Sequence, residues 1–145
     1  MKKADNAVAC FIEGFNCSQA MLSTYGPEFG LDRELALKLA SGFGSGMRMA
    51  QTCGAVTGAF MVIGLKYGHI NAADKKTKDT AYRLVEQFAE KFRSRNGSVI
   101  CRELLGCDVC TPDGYNTAIA KGLFRNFCPK MVRDSAEILE EMLPA

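Results

Sequence analysis

Histidine is nearly missing: His69 is the single one in 145 residues. A catalytic Cys–His pair therefore has one candidate base, and that base follows Gly68 at an expected helix end, where a surface residue with partial positive charge is welcome. No Ser–His–Asp set and no paired carboxylates stand out, so the common hydrolytic constellations are excluded. Charge of one sign is also scarce. Eighteen Lys and Arg against sixteen Asp and Glu leave a net charge of +2. Without a basic block or aromatic–basic interleaving, nucleic acid is not an expected partner. The one charge run, Asp74-Lys75-Lys76-Thr77-Lys78-Asp79, mixes signs and reads as a solvated helix start.

Long apolar runs are missing too. The longest, Gly54 to Leu65, is too short to span a bilayer. Met1-Lys2-Lys3 is followed by Asp5 and Asn6 rather than an apolar core, so no signal peptide is expected. Together these point to a cytoplasmic protein without membrane insertion. No C-x-x-C-H motif is present, which excludes covalent haem. Gly42, Gly44 and Gly46 lack a preceding strand and the G-x-G-x-x-G spacing, so they suit a tight connection between helices rather than a nucleotide loop.

Cysteine, by contrast, is abundant: positions 10, 17, 53, 101, 107, 110 and 128. A reducing compartment keeps thiols reduced, so a rich set there points to metal or redox work rather than structural disulfides. An odd number cannot pair completely within one chain. The competing reading is that cysteine serves as small core filler.

Apolar spacing predicts an all-α, single-domain bundle of about five helices over 1–145, with no strand. The first runs from about Ala4 to Tyr25, on a stripe of Val8, Phe11, Ile12, Phe15, Leu22 and Tyr25. Asp32 caps a second through about Ala40. The third, about Thr52 to Tyr67, carries Gly54, Ala55, Gly58, Ala59 and Gly64 and suits a central helix approached closely by others. A fourth spans about Ala72 to Arg95, with Tyr82, Val85, Phe88, Ala89 and Phe92 facing inward. A mostly irregular, Cys-rich segment over 98–127, with room for one or two helical turns, precedes a last helix from Pro129 to about Met142.

Within this frame Cys53 is the strongest reactive candidate. Thr52 as N-cap places it in a first helical turn, where free amides and the helix dipole stabilise a thiolate. Cys128 stands where a cap belongs, before Pro129, although cysteine is a poor conventional cap. Cys101 begins a short turn through Gly106. Cys17 lies mid-helix and reads as core, with Cys10 one heptad earlier and peripheral. Cys107 and Cys110 form a C-x-x-C pair, which suits a redox disulfide or half a zinc site, but outside the βαβ context of thioredoxins. Cys101, Cys107, Cys110 and Cys128 also make a local four-cysteine alternative.

The string Thr52-Cys53-Gly54-Ala55-Val56-Thr57-Gly58-Ala59 resembles the signature of the redox-active family known as C-GCAxxG-C-C. Asn16-Cys17-Ser18-Gln19-Ala20, Gly42 to Met47, Cys101-Arg102-Glu103-Leu104-Leu105-Gly106 and Cys128-Pro129-Lys130-Met131-Val132 resemble its other elements, in order. The resemblance implies that Cys17, Cys53, Cys101 and Cys128 act together, with Cys10, Cys107 and Cys110 extra. Related domains are similar to the non-haem part of split-Soret cytochromes, which implies an iron–sulfur cluster on the four thiolates, for electron transfer to a protein partner or for sensing. Zinc is the structural alternative. Metal-free thiol–disulfide chemistry, with Cys53 attacking and Cys17, Cys101 or Cys128 resolving, uses the same residues. A helical interaction module, with the small-residue helix at a homodimer interface, is the third reading.

Overall fold

Gly14 produces the first departure from the sequence reading. Its φ of +130° is a conformation that residues with a Cβ rarely adopt, and the first helix stops there. The computed structural model describes residues 2–143; Met1, Pro144 and Ala145, and with them the start of the Met1-Lys2-Lys3 segment and the ends of the 1–145 domain, lie outside the described residues. Helix α1 covers Lys2–Glu13, and α2 restarts at Cys17–Tyr25. Between them Asn16 accepts the Gln19 amide at 2.8 Å while the Gln19 side chain accepts the Asn16 amide at 3.0 Å. This reciprocal capping box satisfies two amides at the helix start. Cys17 is therefore the first residue of a helix, not the middle of one.

Helix α3 (Arg33–Ala40) begins where expected, with the Asp32 carboxylate accepting the Leu35 amide at 2.9 Å. Helix α4 (Gly54–Tyr67) starts later than expected. Thr52 pairs with Ile100 in an isolated antiparallel bridge, and the Cys53 amide donates to the Val99 carbonyl at 2.7 Å. Those bonds hold Thr52 extended and make Cys53 the cap. Helix α5 (Lys75–Asn96) starts at Asp74, which accepts the Thr77 amide, because Asn71 folds residues 71–73 into a turn by accepting the Ala73 amide. The 98–127 segment is not irregular. It holds α6 (Cys101–Leu105), α7 (Pro112–Ala120) and α8 (Leu123–Asn126), separated in part by Gly106 and Gly122 at positive φ. Helices this short show too few apolar positions to reveal a period. Helix α9 (Cys128–Met142) closes the chain.

Helix α4 runs through the centre of this all-α bundle, against α2, α5 and α9. It buries Gly54, Ala55, Val56, Gly58, Ala59, Val62 and Ile63. From α5 it receives Phe88 and Phe92, both fully buried, with Phe88 edge-on to Phe60. From α9 it receives Val132, Ile138 and Leu139, and the Ser135 hydroxyl donates to the Ala55 carbonyl at 2.7 Å. Arg95 near the end of α5 pairs with Asp134 and Glu137 of α9. Two expected inward residues face outward instead: Ile12 is 70% exposed and Tyr82 58%. Alanines on α1 (Ala4, Ala7) take the buried positions there, so the wide aliphatic stripe is not needed against α9. Among the described residues no helix is long and apolar enough to cross a membrane.

The α2–α4 contact is the tightest feature of the core. A Cβ on Gly58 would lie 2.7 Å from the Met21 Cβ and 3.0 Å from the Ser18 carbonyl oxygen; one on Gly54 would lie 3.1 Å from the Cys17 Cβ. This closeness has a cost at Ser18, whose buried hydroxyl has no hydrogen-bond partner among the described residues. A buried unsatisfied hydroxyl costs about 1–3 kcal/mol. Ser18→Ala removes it without adding volume, so the urea midpoint should rise by the equivalent of about 1 kcal/mol; an unchanged or lower midpoint would mean that the hydroxyl has a partner in solution.

Candidate thiol site

Each of the four cysteines marked by the resemblance stands at a helix start. Cys17 opens α2, Cys53 caps α4, Cys101 opens α6 and Cys128 opens α9. Cys128 is not the cap: Phe127 stays helical at φ −110°, ψ −51°, so the chain turns directly from α8 into α9 and places Cys128 first and Pro129 second. All four side chains line one cavity of about 710 Å³. Its wall is otherwise mostly apolar, including Phe11, Phe15, Leu104, Phe127 and Met131, and the charged Arg125 also lines it. Sequence reasoning passed over Arg125, and nothing in the sequence singles it out. Asn16, also in the wall, was legible as the capping partner of Gln19.

The sulfurs do not behave alike. Cys17 hydrogen-bonds both Cys128 and Cys53, and these contacts, followed by burial, hold its thiol well above the ordinary range. Cys53 moves the other way. The hydrogen bond from Cys17 favours its thiolate most, burial opposes this, and the amides of Ala55 and Val56 at the start of α4 add to the favourable side. The result is an asymmetric pair in which Cys53 ionises more readily than an ordinary thiol and Cys17 holds its proton. Cys101, 8% exposed, is pushed up to about 12, first by burial and then by Cys53 and Cys128.

The raised Cys101 value has a consequence for stability. Its folded value lies above its ordinary value of 9.0, so its contribution is full below about pH 9 and is lost as pH rises towards 12. At about 1.4 kcal/mol per unit this amounts to as much as about 4 kcal/mol. Urea midpoints of the wild type should therefore fall between pH 9 and 12, and those of Cys101→Ala should fall less steeply; parallel profiles would contradict the burial of this thiol.

The remaining cysteines lie outside the cavity wall. Cys10 is buried between α1 and α2 with its sulfur 3.5 Å from the Ser23 hydroxyl. Cys107 and Cys110 are half-buried in a second, smaller cluster with Cys101, Val109 and Ala118. The local set of Cys101, Cys107, Cys110 and Cys128 is thus split between two places. His69 is exposed beyond the far end of α4, about 20 Å of helix away from Cys53 at 1.5 Å per residue, and cannot serve it as a base. The glycine run forms a tight connection, as expected: a Cβ on Gly44 would lie 2.8 Å from Asn16.

Among the described residues no group of three or more His, Cys, Asp or Glu side chains is arranged to hold a metal ion. All seven cysteines are free thiols. The four cavity cysteines share a space, but among the described residues no three of them are arranged as a metal-binding group.

No curated protein and no solved structure matches the chain. Residues 15–142 match the family described as "Putative redox-active protein (C_GCAxxG_C_C)", a span that includes α2 through α9 and all four cavity cysteines. The chain belongs to the C_GCAxxG_C_C family.

Proposed function

We propose that the protein is a metal-free thiol–disulfide oxidoreductase in which Cys53 attacks and Cys17 resolves. The observation that carries this reading is that Cys17 and Cys53 share the wall of a largely apolar cavity, where their mutual contact moves the two thiols in opposite directions. The Cys53 thiolate attacks one sulfur of a disulfide R–S–S–R′; the S–S bond breaks and R′–S⁻ leaves. With Cys53 now neutral, the reason for Cys17 to keep its proton weakens, and that proton passes to the leaving thiolate. The Cys17 thiolate then attacks the Cys53 sulfur, releasing R–S⁻, which takes a proton from water. Two electrons move from the Cys17–Cys53 dithiol to the substrate, and one disulfide replaces another.

The test starts from anaerobically purified, reduced protein. Iron, zinc and the visible spectrum are measured first. One equivalent of 4,4′-dithiodipyridine is then added, the reaction is quenched by alkylation within the first second, and disulfides are mapped. The expected result is no stoichiometric metal and a Cys17–Cys53 bond. Stoichiometric iron with visible charge-transfer bands, or stoichiometric zinc, would replace this reading with the four-thiolate centre on Cys17, Cys53, Cys101 and Cys128 implied by the family resemblance. Neither metal nor a bond involving Cys53 would leave the cysteines as core filler.

A further inference from the structure

We propose that Cys107 and Cys110 form a second redox dithiol, and that Cys101, buried between it and the cavity, carries disulfide equivalents from one to the other. The inference rests on the Cys17–Cys53 chemistry above and extends it to residues that the family pattern leaves out.

Cys101 belongs to two places at once. It lines the cavity with Cys17, Cys53 and Cys128, and it is a buried centre of the smaller cluster against which Cys107 and Cys110 pack. The C-x-x-C segment is held where it can use that position. The Asp108 carboxylate accepts the Cys110 amide at 2.9 Å, and the Thr111 hydroxyl donates to the Asp108 carbonyl at 2.9 Å. Gly114 in the first turn of α7 lets that helix lie directly on the segment: a Cβ there would be 1.7 Å from the Asp108 carbonyl oxygen. The Cys110 thiol reaches the Ser45 carbonyl at 3.7 Å, and Ser45 is itself a cavity-wall residue. The dithiol thus sits beside the cavity wall, half-buried.

Ser45 also begins a strained stretch of backbone. Ser45, Gly46, Met47 and Arg48 are consecutive left-handed residues, with φ of 52°, 63°, 60° and 56°. Such a conformation costs roughly 1–2 kcal/mol per residue with a Cβ. It is held by the Gln51 amide on the Gly46 carbonyl and by the Cys101 amide on the Gln51 carbonyl at 2.6 Å. The segment from this strained turn to Gln51 therefore bonds both Cys110, through Ser45, and Cys101, through Gln51.

The transfer balances without any outside reagent. Cys101 passes its proton to the departing Cys17 sulfur as its own sulfur attacks the Cys53 sulfur of the Cys17–Cys53 disulfide. The Cys110 thiolate attacks the Cys101 sulfur of the new bond, and Cys53 leaves. The Cys107 thiolate attacks the Cys110 sulfur, and Cys101 leaves. One disulfide is lost in the cavity, one is gained at Cys107–Cys110, Cys101 regains its proton, and in net the two protons released by Cys107 and Cys110 are taken up by Cys17 and Cys53.

The experiment is a time course of disulfide mapping on the full chain after one equivalent of 4,4′-dithiodipyridine. In the wild type the early Cys17–Cys53 bond should decay as Cys107–Cys110 appears. In Cys101→Ser, and independently in Cys101→Ala, the early Cys17–Cys53 bond should still form but Cys107–Cys110 should appear at least tenfold more slowly. In Cys110→Ser the bond should stay at Cys17–Cys53. The relay is overturned if the wild-type bond remains at Cys17–Cys53, or if Cys107–Cys110 forms as fast without Cys101 as with it. Absence of any early Cys17–Cys53 bond in all four chains would instead sink the parent reading, so the two failures are told apart by when and where the first bond is seen.

Discussion

Cys53→Ser removes the fast thiol reaction of the protein, lowering the rate of labelling by 4,4′-dithiodipyridine about tenfold or more, because the thiolate is the reacting form and Cys53 is the cavity thiol held below the ordinary range. Cys17 is left as the nearest thiol in the cavity, and it is held protonated by its neighbours and by burial. The companion variants separate the two jobs of Cys17. Cys17→Ser keeps a hydrogen-bond donor beside Cys53, so Cys53 remains reactive but no internal disulfide can form and a stable mixed disulfide accumulates. Cys17→Ala removes both the donor and the resolving sulfur, so Cys53 reacts more slowly as well. Stopped-flow absorbance gives the rates and intact mass gives the adduct. Equal rates for Cys17→Ser and Cys17→Ala would mean that the Cys17 thiol does not set the state of Cys53.

Gly58→Val should be the most damaging single change outside the thiols. The added Cβ alone would meet the Met21 Cβ at 2.7 Å and the Ser18 carbonyl at 3.0 Å, and neither is the loose end of a flexible side chain. Overpacking of this kind costs about 1–3 kcal/mol, against which the gain in helix propensity over glycine is below about 1 kcal/mol. The clash wins, and two further methyl groups enlarge it. A loss of about 3 kcal/mol lowers Tm by roughly 6–12 °C for a chain of this size. Function should suffer beyond stability. Gly54 and Gly58 are what let α2 lie against α4, and that contact brings the start of one helix to the cap of the other. Moving α2 outward separates Cys17 from Cys53, so the yield of their disulfide should fall even at temperatures where the variant is folded. Unchanged yield in a destabilised variant would mean that the signature glycine serves packing alone.

The sequence exposed the parts of this molecule where one residue acts locally. Asp32 announced α3, the mixed-charge run announced α5, and the small residues of α4 announced a helix approached from several sides. The same small residues, read as chemistry, put Cys53 beside a tight contact. What stayed hidden has physical reasons. The break at Gly14 falls inside an apolar pattern that continues in phase into α2, so periodicity alone joins two helices; the Asn16–Gln19 pair was the available signal for the break. Helices α6 to α8 are held by neighbours and by their caps rather than by a long apolar face. The left-handed turn at Ser45 to Arg48 had no signal at all, because three of its four residues disfavour that conformation and only the surrounding hydrogen bonds keep it. That turn and the Thr52–Ile100 bridge bring Cys101 to the cavity and make Cys53 a cap, which is why four cysteines scattered over more than a hundred residues share one space.

The pH dependence of Cys53 alkylation in the reduced, full-length protein, followed residue by residue by mass spectrometry, tests this arrangement most directly. The rate should level off with a midpoint clearly below the ordinary cysteine value of 9.0, and the midpoint should move upward in Cys17→Ala. A midpoint at or above 9.0 in the wild type, indifferent to the loss of Cys17, would contradict it.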